Sequence, residues 1–390
     1  MLSRSILFQR VARYLSNNKL CVAIRLGLRL GIKAPQQFHV STKQSEGDIQ
    51  YIPLSPPHKI KRSLPNTVDA QVDWEFLNRL EYESPETFVV CIPKGCLFGH
   101  SVITPDNYLL ADLSIESGVI PKNAARHSIF RRKFLPRARQ LSGRVVCLSS
   151  AHSDNSYFHW MFDLLPRFEL LRRAHVDMRS IDYFVVNSTS QPFQQETLKH
   201  LGIENVIEGR NQHLKAEMLL VPSLPGVMGD MPRWTCDFLR KEFLAVAAPT
   251  RRSKLIYISR QGATYRKLRN EAAVVKRLEK YGFQSVALEE MTFAEQVSVF
   301  KNADVVAGPH GGGLTNLVFC SPATKVIELF SPKYVNGCYW ALSNQLDHKY
   351  FYLLGEGERL PPNGDYSDGG ADFEVDEGKL LSVLTAAGVA

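Results

Sequence analysis

Three short segments hold side chains of a type and spacing suited to chemistry. In Ser156-Tyr157-Phe158-His159-Trp160-Met161-Phe162-Asp163 a carboxylate follows an imidazole by four residues. On a helix that spacing puts both on one face, where the carboxylate fixes the tautomer and raises the basicity of the ring, giving an oriented general base. The competing reading is a satisfied interior histidine packed beside Trp160. The second segment is Tyr257-Ile258-Ser259-Arg260, followed by Arg266-Lys267-Leu268-Arg269-Asn270-Glu271. A guanidinium at a strand end suits a diphosphate, because its planar fork engages phosphate oxygens bidentately and keeps its charge. Asn270 and Glu271 read as helix cap and dipole complement. The third runs from Val305 through Gly308-Pro309-His310-Gly311-Gly312-Gly313 to Asn316. Glycines between a strand and a helix let the backbone approach a ligand, and the helix start offers free N–H groups to a phosphate. A plain glycine-rich turn before a packed helix is the alternative. Glu289, Glu295 and Glu328 fall near strand ends or helix starts of the same unit, where a carboxylate either holds ribose hydroxyls or lies at the surface.

These segments need a scaffold, and the hydrophobic pattern supplies one. Short apolar runs at Phe88–Ile92, Tyr108–Ala111 and Val145–Leu148 come first. After Ser150, strands at Tyr183–Val186 and Met218–Val221 alternate with helices at Tyr157–Ala174, Pro192–Leu201 and Trp234–Leu244. The second half is more regular. Its strands are Lys254–Ser259, Gln284–Leu288, Ala303–Ala307, Lys325–Phe330 and Tyr350–Leu353; its helices are Glu271–Tyr281, Phe293–Lys301, Leu314–Phe319 and Gly337–Leu346. Such alternation implies an α/β chain with a parallel sheet covered on both faces, a Rossmann-like unit. A boundary near Ala247–Arg252 divides the body into 67–247 and 248–355. Residues 1–66 read as a basic arm and a Pro-rich linker, the stretch 35–66 having little structure, and residues 356–390 as an acidic, Gly-rich tail with a terminal helix. Two α/β units facing one another leave a cleft, a preferred place for ligands.

Charge is unevenly distributed. The chain of 390 residues carries a net charge of +8, with ordinary apolar (44%) and charged (22%) contents for a globular protein. Eight basic and no acidic residues lie before Glu46, so removing them from the 47 Lys and Arg leaves a body as basic as it is acidic, at 39 each. The arm reads as a helix lying on an anionic membrane surface, as an organelle transit peptide, or as a mobile segment. No basic stripe continues into the body, which argues against nucleic acid as a partner. No apolar run approaches the roughly 18–20 residues of a spanning helix, so a cytoplasmic location, peripheral at the membrane through residues 1–45, is expected. Seven scattered cysteines without a CxxC pair read as reduced small hydrophobes. The GxGxxG of a dinucleotide oxidoreductase is missing.

In series, the three chemical segments resemble the family 61 glycosyltransferases. The match runs over roughly residues 145–345 and includes Ser156–Arg167, Tyr257–Arg260 with Arg266–Glu271, Glu295-Gln296 and Gly308–Asn316. Two positions depart from the family pattern. Ser156 stands where Asn is usual, and Gly311-Gly312 where Gly-Ala is usual. The resemblance implies a GT-B fold, with two Rossmann-like domains facing an interdomain cleft. It implies an inverting transfer from a nucleotide-sugar, a UDP-sugar expected, onto a glycan or lipid-linked acceptor in cell-surface polysaccharide synthesis, with no cofactor and no metal. Residues 248–355 would hold the donor and residues 67–247 face the acceptor. Carried over by position, Arg260 and Arg266 would hold the diphosphate. His310 with Gly311, Gly312 and Gly313 would sit against the donor, and Asn316 would stabilise the loop or contact the nucleotide. Glu289 is grouped with them, and His159 or Asp163 would be the base. A non-catalytic nucleotide-binding relative with a regulatory or scaffolding role is the alternative.

Overall fold

A computed structural model describes residues 31–116, 120–227, 229–249, 253–362 and 369–390. Most of the basic arm lies outside the described residues. Its last two cations lie within them: Lys33 is in a strand paired with Phe134–Leu135, and Lys43 forms an ion pair with Glu86 at 2.6 Å.

Two α/β sheets dominate the fold. The first contains β1 (Thr87–Pro93), β2 (Arg139–Cys147), β3 (Tyr183–Val186), β4 (Val206–Glu208) and β5 (His213–Pro222). Strands β4, β3, β2 and β5 lie side by side in parallel, and β1 adds to β5 antiparallel. The helices α1 (Pro166–Arg173), α2 (Pro192–His200) and α3 (Arg233–Phe243) accompany it.

The second sheet is parallel throughout. It contains β6 (Leu255–Ile258), β7 (Gln284–Val286), β8 (Val305–Pro309), β9 (Lys325–Phe330) and β10 (Lys349–Leu354), in the spatial order β7-β6-β8-β9-β10. Alternate residues enter different cores, as the twofold period of a strand requires. Ile256, Ile258, Val306 and Val326 face the core shared with the first sheet. Tyr257, Val305, Ala307 and Ile327 face a second core under α4 (Glu271–Glu279) and, at the chain's end, Leu380, Val383 and Leu384. Burial on both faces is what makes these strands nearly continuous apolar runs. The strand order reverses between β6 and β8, and in open α/β sheets ligands bind beyond the carboxyl ends of the strands at such a switch point. Arg260 follows β6, and His310 with its glycines follows β8.

Three expectations need correction. Residues 35–66 are not an unstructured linker: Gln37–His39, Gln50–Ser55, His58–Lys61 and Asn66–Thr67 are strands. The proline content misled because Pro53 sits in a strand paired only with β1, where a missing N–H costs no ladder bond. Within the acidic tail, Phe373 and Val375 are buried, and the Arg269 amide donates to the Phe373 carbonyl at 2.8 Å. Finally, the helix expected at Leu314–Phe319 is a 3-10 turn over Gly312–Phe319.

The early chain also completes the second sheet. Asn66–Thr67 pairs with β10, and Phe76, fully buried, packs edge-on against Trp340 at 5.4 Å and against Tyr352 at 4.7 Å. Phe76→Ala is expected to destabilise the fold by about 3–5 kcal/mol, the usual cost of emptying a buried aromatic site, measurable by urea denaturation.

Candidate active site

A cavity of about 1260 Å³ lies between the two sheets. Residues 152–159 and the start of α2 form one wall; the ends of β6 and β8, with Glu289, Tyr334 and Tyr339, form the other.

His159 reaches this cavity from a helix with an unusual turn. Ser156 Oγ caps it, accepting from the His159 amide at 3.4 Å. Residues Trp160–Leu164 then form a π-turn, with the Leu165 amide donating five residues back to the Trp160 carbonyl at 3.0 Å. Pro166 explains the widening, because it has no N–H to donate and its ring crowds the carbonyl four residues earlier. Next to this turn, Asp163 Oδ2 meets His159 Nδ1 at 2.6 Å. With Nδ1 held by the carboxylate, Nε2 is the nitrogen left for a substrate proton.

Opposite lies an unneutralised pair of cations. Arg260 and Arg266 both line the cavity, and among the described residues neither guanidinium forms an ion pair. Their buried Nε atoms have no hydrogen-bond acceptor. Burial, then the charge of Arg266, pushes the Arg260 guanidinium below its ordinary pKa. The rings of Tyr334 and Tyr265 lie 4.1 and 4.9 Å from the Arg266 guanidinium and offset part of the cost. An arrangement that concentrates positive charge without a carboxylate is suited to an anion.

The glycine loop is shaped around Arg260. A Cβ on Gly311 would lie 2.0 Å from an Arg260 terminal nitrogen, and one on Gly313 would lie 2.8 Å from Leu288 Cδ1. Gly312 faces open space, with nothing within 4 Å of such an atom. The 3-10 turn begins at Gly312, so its first amides have no acceptor within the turn. His310 is fixed from behind: its Nδ1 meets Glu328 Oε1 at 2.5 Å, and Tyr350 donates its hydroxyl to Glu328 Oε2. Glu328 is fully buried. Burial and this carboxylate hold the Tyr350 hydroxyl well above its ordinary pKa, so it stays a donor.

Residues 157–327 match the model of the family described as Glycosyltransferase 61. That stretch is similar to the family 61 glycosyltransferases. Over 105 residues the chain is 32% identical to an EGF domain-specific O-linked N-acetylglucosamine transferase of Drosophila melanogaster, covering 26% of this chain and 20% of that protein. A beta-1,2-xylosyltransferase of Oryza sativa subsp. japonica is 30% identical over 122 residues, covering 27% of this chain and 23% of that protein. The matches thus span about a fifth of the length of these curated relatives.

The matched segment gathers His159, Asp163, Arg260, Arg266, Glu289, His310 and the three glycines at or beside one cavity. It does not bring Asn316 there. That side chain is fully buried, accepting from Tyr157 at 2.6 Å and donating to Gln296 at 2.9 Å, so its contacts serve the loop and not a nucleotide. Lys267 and Arg269 are exposed outside the cavity. Asn270 makes no helix cap: its Nδ2 donates to the Val375 carbonyl at 2.8 Å. Glu271 accepts from the Arg260 amide at 2.9 Å, and Glu295 closes a capping box with Thr292. Sequence reasoning missed Tyr334, Tyr339 and Tyr265, isolated aromatics without a periodic signal. Among the described residues no helix is long and apolar enough to cross a membrane, and the described cysteines are free.

Gly311→Ala is expected to push the flexible Arg260 guanidinium aside at little cost in stability and Gly312→Ala to meet nothing, both leaving the melting temperature within a few degrees of wild type. Thermal denaturation of both variants checks the pair.

Proposed function

We propose that this chain is a nucleotide-sugar-dependent, inverting glycosyltransferase of GT-B architecture, with residues 67–247 on the acceptor side and residues 248–355 holding the donor. The observation that carries the reading is the juxtaposition, across one cavity, of two arginines without counter-ions and an imidazole bonded to a carboxylate. The cavity volume exceeds the ~300–1,000 Å³ usual for a single small ligand, which leaves room for donor and acceptor together.

In this mechanism the acceptor hydroxyl oxygen attacks the anomeric carbon from the face opposite the diphosphate. His159 Nε2 takes the hydroxyl proton while Asp163 stabilises the imidazolium that forms. The bond from the anomeric carbon to the diphosphate oxygen breaks, and its electron pair leaves with the nucleoside diphosphate. Arg260, Arg266 and the first amides of the glycine loop are fixed donors for that developing charge, a form of stabilisation that needs no metal. Glu289, exposed on the cavity wall, is placed for a donor hydroxyl. The names of the two relatives pair different sugars, N-acetylglucosamine and xylose, so UDP conjugates of both are the first donors to assay. The acceptor is a glycan or glycoconjugate.

Two measurements test this reading. UDP at a hundredfold excess over its Kd is expected to add about 2.7 kcal/mol of stability, a shift of several degrees, and Arg260→Ala is expected to lose most of it. Equal shifts in wild type and variant would place the nucleotide elsewhere. His159→Ala is expected to lower kcat by ~10²–10⁴-fold with the donor-induced shift retained, and Asp163→Asn to lower it by a smaller or equal factor. Unchanged turnover in both variants would remove His159 from the role of base.

A further inference from the structure

Behind the cleft wall, three side chains that the transfer mechanism does not use converge. His100, between the strands Cys96–Phe98 and Ser101–Ile103, meets Glu116 and His127, and the ligand atoms of the three all lie within 4.8 Å of one another. Glu116 Oε1 is 3.3 Å from His127 Nε2 and 3.7 Å from His100 Nε2. Both Nε2 atoms are shut away from solvent, and neither makes a hydrogen bond. His127 as a whole is 1% exposed. Two buried imidazole nitrogens beside one carboxylate, without hydrogen bonds, are an unfavourable arrangement for a protein interior unless something else satisfies them.

We propose that His100, Glu116 and His127 form a zinc site. Two imidazoles and a carboxylate are donors that zinc accepts, and bonds of about 2.0–2.2 Å in a tetrahedron set neighbouring ligand atoms about 3.4 Å apart. The two histidine–glutamate separations already match that spacing. A water completes the four ligands. The surroundings supply the outer hydrogen bonds that orient ligands of this kind. Ser128 donates its amide to Glu116 Oε2 at 3.0 Å and its hydroxyl to Oε1. His127 Nδ1 accepts from the Ile129 amide at 3.2 Å. With zinc on Nε2, Nδ1 carries the proton, so loading the metal turns the His127 ring away from the Ile129 amide.

The metal would pin the segment carrying Glu116 and His127 to the hairpin carrying His100. Zinc here is structural and does not touch the donor.

The test uses the full chain, stripped with chelator, loaded with ZnCl2 or CoCl2 and desalted. One zinc per chain is expected by atomic emission, and cobalt should give the intense visible bands of tetrahedral coordination. His100→Ala and His127→Ala, each shown to be folded by circular dichroism, should each lower metal affinity at least tenfold and abolish the bands. If either variant fails to fold, the wild-type stoichiometry and cobalt spectrum decide. A folded wild type that retains less than a tenth of an equivalent of zinc, or shows only the weak octahedral cobalt spectrum, overturns the proposal. So does undiminished binding in the variants.

Discussion

The Tyr157 hydroxyl donates to the Asn316 carboxamide at 2.6 Å in the interior between the two sheets, and Asn316 donates in turn to Gln296 at 2.9 Å. Tyr157 stands two residues before His159; Asn316 ends the glycine loop that starts at His310. The chain of bonds therefore fixes the distance between His159 and the loop opposite it. Gln296 extends the connection, donating to the Leu288 and Met291 carbonyls at 2.9 and 3.2 Å, next to Glu289. A buried amide that loses a partner costs about 1–3 kcal/mol, so the network is both a stability element and a ruler across the cleft.

Positive charge is placed where the second sheet offers it least compensation. Arg260 leaves the end of β6 with its amide held by Glu271, so the carboxylate is spent on the backbone and not on the guanidinium. Arg266 adopts a left-handed backbone, at φ 51°, fixed by a bond from its amide to the Gly370 carbonyl at 2.9 Å. Such a conformation costs a non-glycine residue roughly 1–2 kcal/mol. Strain and like-charge proximity at one spot both work against stability, and both set two guanidinium groups into the same cavity. An anionic ligand relieves the second of these.

Of the imidazoles that line that cavity, His159 and His310 are each oriented by a carboxylate through Nδ1. For His159 the partner is a half-buried aspartate one helical turn away; for His310 it is a fully buried glutamate on the adjacent strand β9, itself locked by Tyr350. The difference in burial extends to the rings. His159 is partly exposed in the cavity, while His310 is nearly buried and stacked on Phe330 with ring centroids 5.2 Å apart.

The sequence by itself determined the alternation of strands and helices, the pairing of His159 with Asp163, and the position of Arg260 and of the glycine loop each just after a strand. Those features are local. Strands Tyr183–Val186 and Lys325–Phe330 and helix Phe293–Lys301 end where the apolar periodicity ends. An i, i+4 pair stays a pair even through the π-turn. Proline content, by contrast, says only that a strand lacks a donor, not that the strand is missing, so the edge strand Gln50–Ser55 was hidden. Tertiary structure alone decided that Asn316 serves the loop, and that Arg260 and Arg266 reach the cavity while Lys267 and Arg269 do not. It also brought His100, Glu116 and His127 together, at spacings no ligand motif uses. Each of these depends on which residues from distant segments meet, and hydrophobic periodicity carries the identity of a buried face but not of the partner packed against it.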